Sequence, residues 1–243
     1  RRCRDAEERA AAFAARLGED RGLALRTQPM PYEEVRDFFY TRHNHVAELD
    51  DLAERLFDAW LLQPGETGSG LASRLEAVHG IRVLRDERAF GDADAGTLRR
   101  FDKGERVLRL SPLLEPGQQA FQMATQLAFL EAEDAIEDLA AQAVFRSDEA
   151  RSLARIGLAN YFAGALVLPY RRFLDSAERL RYDIDLLSRR FGTGFETVSH
   201  RLSTLQRPGA PGVPFFFVRV DRAGNISKRQ SATQFHFSRT GGT

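Results

Sequence analysis

The sequence predicts a helix-dominated α+β fold, and three observations carry that reading. Apolar residues recur at helical spacing over most of the chain, as in Val46, Leu49, Leu52, Ala53, Leu56 and Trp60. Two stretches, 81–110 and 213–229, hold short alternating runs instead. Turn-rich stretches such as Pro64 to Gly70 and Arg207 to Gly212 separate these segments. Helices, a small hairpin, more helices and a second hairpin make an α+β chain with a small antiparallel sheet.

The elements follow in order. Residues 1–16 are rich in Ala, Glu and Arg and read as an amphipathic helix closed by Gly18 and Gly22. Gln28-Pro29-Met30-Pro31 is a stiff linker. Residues 32–62 keep helical periodicity, with a break at Arg42-His43-Asn44. Residues 64–70 are a turn-rich loop, and 71–78 a short helix ended by Gly80. A strand is expected over 81–85. Segments 97–102 and 106–110 flank Asp102-Lys103-Gly104-Glu105 as a hairpin. Helices resume at 117, run to about Phe145, and restart after Ser147, an N-cap residue type. Pro169 interrupts the next helix. Segments 170–181, 184–191 and 195–205 are helical, and 207–212 is a rigid connector. Strands are expected at 213–220 and 226–229.

Composition excludes several classes. The 243 residues carry a net charge of zero, which argues against broad, non-specific nucleic-acid binding. No apolar run approaches the roughly 20 residues that span a bilayer, so no membrane partner is expected. No secretory signal is visible at Arg1. The single cysteine, Cys3, leaves no internal disulfide framework and suits a reducing cytoplasm. Apart from Lys103 and Lys228, Arg supplies the Lys/Arg charge. That bias fits a GC-rich genome, and it also fits guanidinium recognition of phosphate.

Few constellations carry chemistry. His43 and His45 stand two apart and diverge on a helix, so they read as solvated or capping residues. The acids from Glu131 to Asp138 read as a solvated face. Asp92-Ala93-Asp94 lacks the Gly and Glu of a calcium loop. Segments 183–192 and 195–202 have the form of a helix-turn-helix, with an αα-hairpin packed for structure the favoured reading. Phe121, Thr125 and Phe129 share one helical face by their i, i+4, i+8 spacing. Tyr40 with Arg42, and Arg181 with Tyr182, pair an aromatic face with a guanidinium, a combination suited to a nucleotide. Tyr161 and Phe162 are expected to turn toward the Thr125 helix.

Two runs resemble a known scaffold. Met123-Ala124-Thr125-Gln126-Leu127-Ala128-Phe129-Leu130 and the run from Ala159 to Pro169 are similar to two helices of the ImmA/IrrE-like metallopeptidase superfamily. The first family helix carries H-E-x-x-H, which supplies two imidazoles to zinc and a carboxylate base. Here those positions read Thr125, Gln126 and Phe129, and the candidate third-ligand positions read Ile156 and Leu158. The resemblance therefore implies a degenerate zinc-peptidase-like domain with no catalytic residue and no metal.

The run from His200 to Pro208, that from Val213 to Ala232, and Tyr32-Glu33-Glu34-Val35-Arg36-Asp37 resemble the short-chain fatty acyl-CoA transcriptional regulators of actinobacteria. That family includes regulators of propionate (methylcitrate) metabolism and of the glyoxylate cycle. The resemblance implies an N-terminal helix and linker over 1–30, an acyl-CoA-sensing domain over 31–212, and a hairpin over 213–243 that opens a C-terminal region. It implies coenzyme A or a short-chain acyl-CoA such as propionyl-CoA as effector. It also implies DNA contact through an N-terminal helix-turn-helix beyond this sequence, and an iron–sulfur cluster in a C-terminal part beyond it. A homo-oligomer is expected. On this reading Arg42 and Arg181 hold phosphates, Tyr40 meets the nucleotide, Phe121, Thr125 and Phe129 line the acyl or pantetheine path, and Tyr161 stands beside it. The alternatives are a metal-dependent peptidase or acyl-CoA hydrolase, and direct DNA binding through the 183–205 helix pair.

Overall fold

The computed structural model describes residues 30–85 and 97–222, Gly224, and the backbone of 226–231. The helix expected over 1–16 and the Asp92 loop lie outside these residues.

The 32–62 segment forms two helices, α1 (Pro31–Thr41) and α2 (Ala47–Ala59). The break falls where expected, because His43 and Asn44 both take left-handed φ, 52° and 57°. Helix α3 (Thr67–Ala77) begins four residues earlier than its apolar pattern, taking Thr67-Gly68-Ser69-Gly70 into its first turn. Strands β1 (Arg82–Arg85), β2 (Arg99–Asp102) and β3 (Val107–Leu110) follow. The 117–145 stretch divides into α4 (Pro116–Glu131) and α5 (Glu133–Gln142), because Ala132 leaves helical geometry at φ −124°. Helix α6 (Asp148–Val167) starts at the expected cap, where Ser147 accepts from the Ala150 N–H at 3.1 Å. Then come α7 (Tyr170–Arg179), α8 (Ile184–Phe191), α9 (Phe195–Leu202), β4 (Phe216–Val220) and β5 (Ile226–Ser231).

The small sheet is mixed, which corrects the antiparallel expectation. Its order is β1-β3-β2, with β1 parallel to β3 and β2 antiparallel to it. The β2–β3 hairpin is as predicted. Its second arm, β3, also takes the centre, so the first strand meets the third and the two run the same way. Strands β4 and β5 form a separate antiparallel pair.

Helices α4 and α6 form the centre of the core. Ala124, Leu127 and Ala128 of α4 and Leu158, Phe162 and Leu166 of α6 are fully buried. Such helices are apolar on most sides because neighbours cover most sides. The α8–α9 turn closes the far end. Gly192 ends α8 in the left-handed conformation, and a Cβ on Gly117 would sit 2.3 Å from the Gly192 carbonyl oxygen. Only a glycine at the start of α4 lets that turn dock.

Candidate functional site

The residues singled out by sequence fall into three groups, the first of them divided between two helix ends. Arg42 caps α1. Its guanidinium lies 4.0 Å over the Phe38 ring, and Nη1 donates to the Phe38 carbonyl at 3.4 Å. Arg42 has no carboxylate partner among the described residues. Tyr40 is half-buried on the preceding turn. This end of α1 is held against α6 by close packing, since a Cβ on Gly157 would meet the Phe39 ring at 2.9 Å. Arg181 sits beyond α7, exposed, with Arg181 and Tyr182 both at positive φ. The Tyr182 hydroxyl accepts from the Val213 N–H at 3.1 Å and its ring packs on Phe215, so this bend holds the start of the C-terminal segment. No hydrogen bond, ion pair or ring contact among the described residues joins Arg181 to Arg42.

The second place is α4. Thr125 is 3% exposed, and its hydroxyl donates back to the Phe121 carbonyl at 2.9 Å. Phe121 and Phe129 are half-buried. A residue that sequence reasoning passed over joins them. Arg99 of β2 donates from Nη1 to Gln126 Oε1 at 3.1 Å, with its guanidinium 5.7 Å from the Phe129 ring centre. Burial alone lowers the Arg99 pKa, with no acid acting against it. Thr125, Gln126 and Phe129 thus present a hydroxyl bonded within its own helix, an amide bonded to a cation, and a phenyl ring. This set does not fit zinc: it offers no imidazole, thiolate or carboxylate, and Arg99 adds positive charge. Among the described residues no group of three or more His, Cys, Asp or Glu stands ready to hold a metal.

The third place is a buried charge cluster. Sequence reasoning turned Tyr161 toward α4. Instead its hydroxyl donates to Asp50 Oδ2 at 2.7 Å and accepts from the Val46 N–H at 3.0 Å, which corrects that expectation. A buried phenol takes partners where they stand, and here they stand on α2. It is Gly164, one turn on, that meets Phe121. Arg201 of α9 donates from Nη2 to Asp50 Oδ1 at 2.6 Å, from Nε to the Leu168 carbonyl at 2.9 Å, and from Nη1 to Thr204 at 3.1 Å. His45 Nε2 lies 3.3 Å from Asp50 Oδ2, near enough to attract but off the line of a hydrogen bond. Burial would raise the Asp50 pKa, yet Arg201 and the neighbouring His45 and Tyr161 hold it below the usual carboxylate range. Burial, and then the Asp50 charge, push the Tyr161 phenol well up. The signal for this cluster was present: Val46, Asp50, Ala53 and Phe57 form one stripe, apolar except for the acid.

Two further expectations change. Glu131 is no solvated acid. It receives Arg74 at 2.8 Å and His79 at 2.7 Å, tying the end of α4 to α3. The α8–α9 pair has the length of a helix-turn-helix, but its turn packs on Gly65 and Gly117, and its second helix gives Arg201 to the buried cluster.

Residues 76–203 match the family model described as the IrrE N-terminal-like domain, and 204–243 match that of the short-chain fatty acyl coenzyme A regulator, C-terminal. The HTH-type transcriptional regulator PrpR of Mycobacterium tuberculosis is 53% identical over 100% of this chain and 49% of its own length. A propionyl-CoA carboxylase regulator of Cereibacter sphaeroides is 42% identical over 98% of this chain and 49% of its own. The chain thus spans about half the length of these curated relatives. The solved structure of a Mycobacterium tuberculosis transcriptional regulator superposes with a TM-score of 0.82 at 56% identity, covering 88% of this chain and 64% of that one.

Proposed function

The chain belongs to the IrrE N-terminal-like domain family, in a form that runs on into the short-chain fatty acyl coenzyme A regulator C-terminal region, and from that premise we propose that residues 31–212 are the effector-sensing domain of a transcription regulator. The effector is a short-chain acyl-CoA of the propionyl-CoA type, and the genes controlled serve propionate or fatty-acid breakdown. The names of the relatives support the regulator role, and the C-terminal family description supports the ligand class.

One observation carries the reading at the level of residues. Arg42, Arg99 and Arg181 have no carboxylate partner among the described residues, and the first two lie against aromatic rings. Guanidinium groups left free of acids suit the phosphates of a coenzyme A. Tyr40 adds an aromatic face for the nucleotide. Phe121 and Phe129 line the path of the pantetheine or acyl chain, with Thr125 beneath them and Arg99 at its side. Tyr161, committed to Asp50, is given a structural role.

Ligand binding biases the domain between two arrangements that differ in affinity for the effector, and so changes DNA binding by an N-terminal helix-turn-helix. The DNA partner, the homo-oligomer, the cytoplasmic setting and the iron–sulfur cluster of a C-terminal part belong to this same proposal. Among the described residues no helix is long and apolar enough to cross a membrane. Regulation is favoured over peptide or thioester hydrolysis because the zinc-ligand positions on α4 hold no ligand chemistry. Calorimetry with CoA, propionyl-CoA and a long-chain acyl-CoA tests the reading. The expected result is saturable heat, strongest for propionyl-CoA; silence with all three overturns it.

A further inference from the structure

A recess of about 180 Å³ opens between α7, the last turn of α8 and the Pro64 turn that leads into α3. Three arginines line it: Arg172 and Arg179 of α7, and Arg190 of α8. It is small for a drug-sized ligand and large enough for one tetrahedral oxyanion. The turn beside it is clamped on α8, since a Cβ on Gly65 would stand 3.0 Å from the Arg190 carbonyl oxygen.

Few of these guanidinium donors are engaged. Arg179 has no hydrogen bond or ion pair among the described residues. Arg190 donates only from Nε, to Ser176 Oγ at 3.0 Å. Ser176 is 5% exposed, and its hydroxyl donates in turn to the Arg172 carbonyl at 2.7 Å. This buried hydroxyl fixes the Arg190 side chain against α7 and leaves both Nη groups without a partner among the described residues. Arg172 gives Nη2 to Asp58 at 2.8 Å, its one guanidinium hydrogen bond there. Helix ends do not account for the grouping. Arg179 and Arg190 stand in last turns, where a cation is favoured, but Arg172 stands in the first turn of α7, where it is not. Asp175 also lines the recess and forms no ion pair among the described residues. One lining carboxylate among three guanidiniums leaves the recess positive.

We infer that this recess is an anion site for a phosphoryl dianion, either free phosphate or the head of a small phosphomonoester. A tetrahedral dianion offers oxygens to three guanidinium forks at once, whereas a carboxylate has two oxygens and serves one fork. Ser176 is a positioning residue, acting through Arg190. None of the residues assigned to the acyl-CoA lines the recess; Arg181, two residues past Arg179, has already left the helix at positive φ.

The test follows the arginine Nε–H signals of the whole chain by NMR at fixed ionic strength, with inorganic phosphate, glycerol phosphate or acetate added. Phosphate or glycerol phosphate is expected to saturate the Arg179 and Arg190 signals at least about tenfold more tightly than acetate. The tighter of the two identifies the source of the phosphoryl group. Arg179→Ala and Arg190→Ala each weaken binding by about five- to tenfold, and Arg190→Lys, which keeps the charge and loses the fork, weakens it as well. Asp175→Asn tightens it by about two- to fivefold, an effect that a purely structural recess would not show. Melting curves show that each variant folds. Propionyl-CoA in excess leaves the phosphate titration unchanged, and the titration itself needs no acyl-CoA, so failure of that reading leaves it intact. The inference fails if phosphate and glycerol phosphate both leave the signals unmoved by about 10 mM, if acetate matches them, if the folded Arg179→Ala, Arg190→Ala protein binds as before, or if propionyl-CoA displaces the phosphate.

Discussion

Arg201 and Arg99 are two arginines drawn out of water in opposite company. Arg201 is 3% exposed and its guanidinium meets Asp50, a backbone carbonyl and a hydroxyl. Arg99 is half-buried and meets one amide oxygen and one ring. A buried charge with its counter-ion is a structural fixture. A partly buried charge without one is the feature on which the proposed acyl-CoA site rests. The contrast sets what holds this domain together against what the proposal assigns to a ligand.

The sharpest way to break the comparison is to remove the acid at the Arg201 end. Asp50→Ala leaves Arg201 buried without its anion and is expected to cost about 3–5 kcal/mol in urea unfolding. A loss below about 1 kcal/mol would mean that the cluster is not a stability element. Tyr161→Phe should cost less, about 1–3 kcal/mol, because it strands the Val46 N–H and removes one donor from Asp50.

Acid sharpens the same point. The Asp50 pKa is lower in the folded state than its ordinary value of about 3.9. Its stabilisation is therefore complete above that value and is lost as pH falls through the folded pKa. The stability gap between wild type and Asp50→Asn should stay level above about pH 5 and close progressively below about pH 4. A gap that widens in acid would contradict the assignment.

At the other arginine the expectation reverses. Arg99→Ala should cost no more than about 1–2 kcal/mol, since it strands only the Gln126 amide oxygen and leaves no buried charge unpaired. The same change should weaken propionyl-CoA by about tenfold, the worth of a hydrogen bond to a charged group. Unchanged affinity would remove Arg99 from the ligand path.

Much of the fold is legible in the sequence because local chemistry decides it. The 42–44 break, the Ser147 cap and the β2–β3 hairpin follow from turn residues and periodicity. The parallel β1–β3 pairing does not, because strand order is a tertiary choice that no short pattern encodes. The candidate site was half legible. Phe121, Thr125 and Phe129 stand together by helical spacing alone. Arg99 reaches Gln126 across 27 residues of chain, and Asp50 reaches Arg201 across 151. Such long-range pairs leave only a faint trace, like an aspartate in an apolar stripe. Glu131 reads as a solvated acid for the same reason: its partners His79 and Arg74 stand 52 and 57 residues away in the chain.

The most direct test of the account is a calorimetric titration of propionyl-CoA into this chain and into its Arg42→Ala, Arg181→Ala double variant. The account predicts saturable binding to the first and a loss of at least about tenfold in the second. Equal affinity in the two proteins would contradict it.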